Sequence, residues 1–134
     1  MRKVLPARGP YDLKAVVFSH GWSDLPPFQV EALDGSLRLA LRTEQHPALV
    51  SIRAQVNGLS LEGDRLDESI ERDVRWMFRM DDDLAAFYLA ARVSGRPWIE
   101  ERRMGRLLRC QTVFEDLVKL EIGNSKKILK AKNV

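Results

Sequence analysis

The chain has 134 residues, of which 45% are hydrophobic and 31% charged, with a net charge of +3, a size that holds one domain with its own core and not comfortably two. No apolar run approaches the roughly 18 residues that cross a bilayer, and the start, Met1-Arg2-Lys3-Val4-Leu5-Pro6, lacks the apolar stretch of a secretory signal. A single cysteine, Cys110, excludes a disulfide framework and a cysteine metal cluster, and this usage makes a reducing cytoplasm the expected compartment.

The first half reads as strands. Leu13 to Phe18 is short and rich in Val and Phe, which predicts a first strand. Gln29 to Leu33 and Ser36 to Arg42 flank Asp34-Gly35, a hairpin signal. In the second of these, Leu37, Leu39 and Leu41 alternate with Arg38, Ala40 and Arg42. Val50, Ile52, Ala54 and Val56 alternate in the same way with Ser51, Arg53 and Gln55. Period-two alternation means a sheet with one buried face. Asn57-Gly58 ends that strand in similar turn chemistry, and the short connections imply antiparallel pairing.

The second half reads as helices. Ile70, Val74, Met77 and Phe78 form one apolar stripe at helical period, with Asp64 as the expected N-cap and Asp67 and Glu68 in the positive first turn. Leu84, Phe87, Tyr88 and Ala91 repeat the stripe, and Gly95 and Pro97 close it. A third helix is predicted from Thr112, with Glu115 completing a capping box and Phe114, Leu117 and Val118 as its apolar face. Strands followed by helices predict an α+β fold, an antiparallel sheet with helices packed on one face. Leu39, Leu41, Ile52, Val74 and Phe87 are the expected core. After Gly123 the pattern weakens into a lysine-rich segment expected to fray.

Few residues carry obvious chemistry. Asp81-Asp82-Asp83 precedes an apolar-periodic segment, where acids suit a helix cap better than a metal. His20 and His46 have no Cys, His or carboxylate at ligand spacing, and His46, before Pro47, is expected to be exposed. Cys110 reads as a small hydrophobe rather than a nucleophile. No cofactor or metal is expected. The segment His20-Gly21-Trp22-Ser23-Asp24-Leu25-Pro26-Pro27-Phe28 has two readings, a rigid connection packed on the core or one wall of a ligand pocket. Residues 92–134 carry 11 basic and 5 acidic residues, whereas residues 1–91 carry 11 and 14. Arg102, Arg103, Arg106 and Arg109 cluster in the basic part, where phosphate contact and a solvated surface are equally good readings.

Three segments in order resemble the bacterial relatives of 3-methyladenine and 8-oxoguanine DNA glycosylases. They are Phe18-Ser19-His20-Gly21-Trp22-Ser23-Asp24-Leu25-Pro26-Pro27-Phe28, Arg79-Met80-Asp81-Asp82-Asp83-Leu84-Ala85-Ala86-Phe87-Tyr88, and Gly105-Arg106-Leu107-Leu108-Arg109-Cys110-Gln111-Thr112-Val113-Phe114-Glu115-Asp116-Leu117-Val118-Lys119. The resemblance spans residues 10–119. It implies a domain similar to one repeat of the TATA-binding protein over residues 1–111, followed by the first helix of a helical domain at 112–123 and a basic tail at 124–134. In that family a helix-hairpin-helix clamp and a catalytic Asp, in some members with a catalytic Lys, lie in the helical half. The loop after the first strand lies near the damaged-base pocket, which gives His20, Gly21 and Trp22 as substrate-facing candidates and Arg102, Arg103 and Arg106 as DNA-facing ones.

The family continues past Lys119 into a long catalytic half, whereas here Leu120 leads into a lysine-rich end. The stretch Gly123-Asn124-Ser125-Lys126-Lys127-Ile128-Leu129 resembles a later family segment, so an internal deletion, a frameshift and a gene fragment all fit. The expectation is an accessory domain of a base-excision enzyme that is inactive alone, with DNA and an absent helical half as its partners. The alternative is a stand-alone DNA-binding or protein-interaction module that uses the basic second half.

Overall fold

The computed structural model of the chain describes the backbone of residues 1–132 and the side chains of residues 1–123. Strand β1 (Arg2–Pro6) leads to helix α1 (Leu13–Val17), then to a short turn of 3-10 helix at Gly21–Asp24. Strands β2 (Phe28–Val30), β3 (Leu37–Leu41), β4 (Ala48–Gln55) and β5 (Gly58–Glu62) follow as a meander. Helices α2 (Glu68–Met77), α3 (Ala85–Val93), α4 (Trp98–Glu101) and α5 (Val113–Lys132) complete the chain.

The five strands form one antiparallel sheet in the order β1-β5-β4-β3-β2. Register puts Phe28 opposite Leu39 and Leu39 opposite Val50, while Ile52 lies between Leu37 and Leu61, and Leu5 opposite Leu59. Because strand side chains alternate between faces, these residues share one face and are all buried. Arg2, Arg38, Arg53 and Glu62 lie on the opposite face and are exposed. Leu13, Val16 and Val17 of α1 and Ile70, Val74 and Met77 of α2 join the buried face in a single core. The fold is therefore α+β, an antiparallel sheet with helices on one side, as the alternation and the α2 stripe predict.

Two turns depend on glycine. Gly35 sits at φ +89°, and a Cβ there would lie 3.0 Å from the Lys14 Cα. Gly58, after Asn57 at φ 53°, packs so tightly under β1 that a Cβ would run into the Leu5 carbonyl oxygen.

Several expectations are corrected. The Leu13–Phe18 segment is helical, not a strand. Asp12 caps it, its Oδ1 accepting from the Lys14 N–H at 3.1 Å, and the buried residues Leu13, Val16 and Val17 are spaced i, i+3, i+4. The first strand is instead Arg2–Pro6, which forms the sheet edge beside β5. The strand before the Asp34-Gly35 turn covers Phe28–Val30, and Leu33 lies outside it, exposed. Val56 falls beyond β4 and is exposed. The N-cap of α2 is Asp67, whose Oδ1 accepts from the Ile70 N–H at 3.0 Å, rather than Asp64. Phe87 is 45% exposed, and α3 buries Tyr88 and Ala91 in its place. The third predicted helix runs on past Gly123 to Lys132. Whether the 124–134 tail frays lies with side chains outside the described residues. Among the described residues, no helix is long and apolar enough to cross a membrane.

Candidate functional site

The segment from Met104 to Thr112 forms no regular element, yet it is tied down residue by residue. Arg79 Nε donates to the Leu107 carbonyl at 3.0 Å. The Leu108 N–H donates to Ser19 Oγ at 3.1 Å, and the Arg109 N–H donates to the Met77 carbonyl at 2.9 Å. Gln111 meets the backbone of Arg42 twice, accepting from its N–H and donating to its carbonyl, each at 2.8 Å. Leu108 and Cys110 sink into the main core, where burial pushes the Cys110 thiol up to about 11. An irregular strand of this kind holds its place only when its backbone groups find partners, and here they come from several places in the chain, Ser19 and His20 from the first half and Met77, Arg79, Tyr88 and Asp116 from the second.

His20, Gly21 and Trp22 lie where this strap meets the start of α5. The His20 Nε2–H donates to the Leu108 carbonyl at 2.7 Å. That assigns the other ring nitrogen as acceptor, and Nδ1 receives the Trp22 N–H at 3.3 Å. The two rings stand edge to face with centroids 4.5 Å apart. Trp22 Nε1–H donates to Asp116 Oδ1 at 2.7 Å, and the same oxygen accepts from the Cys110 N–H at 2.9 Å. Lys119, 5% exposed, places its ammonium 4.4 Å from the Phe28 ring centre and 3.2 Å from the Trp22 carbonyl. The segment thus joins α5 to the domain, and the polar atoms of His20 and Trp22 are already engaged within the chain. Gly21 is exposed, with nothing within 4 Å of where a Cβ would stand.

Helix α5 is inverted relative to the usual pattern. Its inner face is polar, through Asp116 and Lys119, whereas Phe114, Leu117 and Val118 are 72%, 57% and 41% exposed. Val113, Leu120 and Ile122 are exposed as well. Part of this face borders an open groove of about 520 Å3, with Pro26 and Pro27 on the near wall and Phe114, Val118 and Ile122 on the far one. The peptide between the two prolines is cis.

The arginines divide. Arg106 is not available to a phosphate backbone, which corrects its place among the DNA-facing candidates. It is 2% exposed, and its two terminal nitrogens donate to the carbonyls of Arg79, Asp82, Arg8 and Pro10 at 2.5 to 3.3 Å. Arg103 turns back onto the Glu100 carbonyl at 3.0 Å and is only partly exposed. Arg102 is exposed and rides 5.9 Å above the Trp98 ring centre. Arg109 lies 4.6 Å above Trp76, where burial and the neighbouring Arg79 hold its pKa below the usual value.

The acidic triplet is fully explained by pairing. Asp81 holds Arg75, Asp82 holds Arg79 at 3.3 Å, and Asp83 holds Arg8 at 3.1 Å. Asp83 also accepts from the Ala85 N–H at the start of α3, at 3.0 Å. Among the described residues no three His, Cys, Asp or Glu converge as metal ligands. His46 is exposed.

Sequence reasoning missed Asp116, Lys119 and Gln111 as organising residues. The available signal was the placing of an acid and a base, Asp116 and Lys119, three residues apart beside an apolar stripe. Periodicity alone assigns such a stripe to the core. Compared with family models, curated proteins and solved structures, the chain has no significant match.

Proposed function

We propose that the chain is the accessory N-terminal domain of a DNA base-excision glycosylase, similar to one TATA-binding-protein repeat, and that it has no activity alone. The observation that carries this reading is the outward apolar face of α5. Phe114, Leu117 and Val118 are fixed in the open by the Asp116 and Lys119 contacts behind them. An exposed apolar stripe beside an apolar groove marks a surface that a partner covers, and the resemblance implies a helical half in that position. The antiparallel sheet with helices on one side agrees with the domain the resemblance implies.

On this reading His20 and Trp22 act by holding α5 against the domain, and at most they back one wall of a base pocket. Flipping and holding a base while its sugar bond breaks requires groups placed on several sides. Arg102 and Arg109 remain as surface cations, and they supply phosphate contacts without base selection.

The test is a glycosylase assay on alkylated and oxidised duplex oligonucleotides, with DNA binding measured at low and high salt. The expected result is no abasic-site formation and weak binding that falls steeply with salt. Adding a separately produced helical half of a glycosylase of this kind is expected to give a complex, and Leu117→Glu to abolish it. Abasic-site formation by the chain alone would overturn the reading. Salt-insensitive, sequence-selective binding would favour an independent DNA-binding module.

A further inference from the structure

Phe114, Leu117, Val118 and Ile122 recur on α5 at the spacing of one helical stripe and are 40% to 72% exposed. Three of them, Phe114, Val118 and Ile122, border the groove of about 520 Å3 whose other wall holds Pro26 and Pro27. The stripe is held outward, because Asp116 and Lys119 fasten the opposite face of the helix to Trp22. An apolar surface of this kind is covered when a partner of matching charge meets it.

The charge along the helix says what matches. Residues 113–122 carry three acids, Glu115, Asp116 and Glu121, and one lysine, Lys119, which is buried. Residues 123–132 carry four lysines and no acid. The helical backbone is continuous from Val113 to Lys132, 20 residues that rise about 30 Å. A second α5 laid parallel to the first would set acid beside acid and lysine beside lysine. Laid antiparallel, it sets the acidic start of each helix beside the lysine-rich end of the other, at both ends of the contact. A two-fold axis across the middle of the pair generates that crossing, and it is the commonest symmetry of a homodimer.

We propose that the α5 face is closed by a second copy of the chain, the two helices pairing antiparallel about a two-fold axis so that the lysine-rich half of each lies along the groove of the other. That half brings the apolar pair Ile128-Leu129 as well as its lysines, and Glu115 stands at the groove to meet positive charge. One helix pair is a small interface, so the association is weak, and a dilute chain is monomeric with the face exposed. The inference needs only the exposed face and the charge pattern, and it does not rest on the glycosylase reading. A helical half, where one is supplied, occupies the same face and displaces the second copy.

The experiment is sedimentation equilibrium of the full chain across a concentration series, with 1H–15N spectra recorded alongside. A reversible monomer–dimer equilibrium is expected, with concentration-dependent shifts at the amides of Phe114, Leu117 and Val118 and none at Arg53 on the outer face of the sheet. Leu117→Glu, at an exposed side chain, is expected to keep the folded spectrum and to raise the dimer Kd roughly a hundredfold, because each substitution enters a two-fold contact twice. Glu115→Lys tests the orientation. In the antiparallel pair it replaces attraction by repulsion at both ends and is expected to weaken the dimer roughly tenfold at low salt, less at high salt. In a parallel pair it exchanges one like-charge contact for another and leaves the affinity unchanged. A chain that stays monomeric at every concentration, a dimer untouched by Leu117→Glu, or an affinity unchanged in Glu115→Lys overturns the proposal. A monomer that still takes up a separately produced helical half overturns the second copy and leaves the glycosylase reading standing. A dimer that ignores the helical half supports the second copy and counts against that reading.

Discussion

The two parts of this domain are held by different forces. Up to Met80, strands and helices meet through a shared apolar core in which Leu39, Val50, Ile52, Leu61, Val74 and Phe78 are wholly buried. Among the described residues beyond Met80, only Leu108 and Cys110 join that core. The rest is fastened by polar hooks, among them Arg106 on four carbonyls, Asp116 on two N–H groups, and Gln111 on the backbone of Arg42. Apolar burial is non-directional and forgiving of detail, whereas a hydrogen-bonded hook needs each partner in place. The difference teaches that the second part is a fitted strap whose directional bonds hold α5 with its outer apolar face exposed.

The largest effect that sharpens this contrast is expected in the sheet. Ile52→Ala removes buried methyl groups at the junction of β3, β4 and β5 and is expected to cost about 2–5 kcal/mol in denaturant unfolding. Leu117→Ala deletes a side chain of the same class from an exposed position and is expected to change stability by less than about 0.5 kcal/mol. Equal costs for the two would dissolve the comparison.

Next in size is Arg106→Met. The flat guanidinium spans carbonyls from the β1–α1 loop and from the turn after α2, and methionine offers them no donor. A loss of about 3 kcal/mol is expected, the cost of a small number of buried acceptors left without partners. Arg106→Lys is expected to recover little, because a point charge cannot reach both pairs of carbonyls. Full recovery with lysine would show that charge rather than the planar fork holds the strap.

A smaller and more local effect belongs to Trp22→Phe. The ring stays, and the Nε1–H bond to Asp116 is lost. A cost of about 1 kcal/mol is expected, together with faster hydrogen exchange at the start of α5 and no change in β3 and β4. Exchange that rises equally in the sheet would mean that α5 and the core unfold as one unit.

The same division explains which elements are legible in the sequence. Alternation in 37–41 and 48–55 reports burial directly, because each strand residue faces either core or solvent, and the 70–78 stripe does the same for α2. Val and Phe favour strands when taken singly, which predicts a strand at Leu13–Phe18, while the Asp12 cap and the 13, 16, 17 spacing decide for helix. Arg2–Pro6 is a sheet edge with only Leu5 buried, so it has no alternation to display. In the strap, order comes from partners far away in sequence, such as Ser19 with Leu108 and Arg42 with Gln111, and no local pattern encodes them. The basic run likewise gave no sign that Arg106 turns inward while Arg102 stays at the surface.

The smallest effect is silent at neutral pH and sits at the seam between the two parts. Cys110 has its thiol in the apolar core and its N–H on Asp116. Burial, the largest cause, raises the thiol pKa to about 11, against about 8.5 in an unfolded chain. For an acid the neutral form is the one the fold favours. Below the unfolded value both states keep the proton and stability is unaffected. As pH rises past it, only the unfolded chain ionises, and stability falls by about 1.4 kcal/mol per pH unit until the folded value is reached. Cys110→Ala lacks this titration. Subtracting its unfolding free energy from that of the parent across pH 8 to 10.5 is therefore expected to give a constant offset at first and then a decline in the parent, with other alkaline groups cancelling. A flat difference would mean that water reaches the thiol through the strap. The seam would then be looser than the core beneath it, and the polar hooks would have to hold the second part without a shared dry interior.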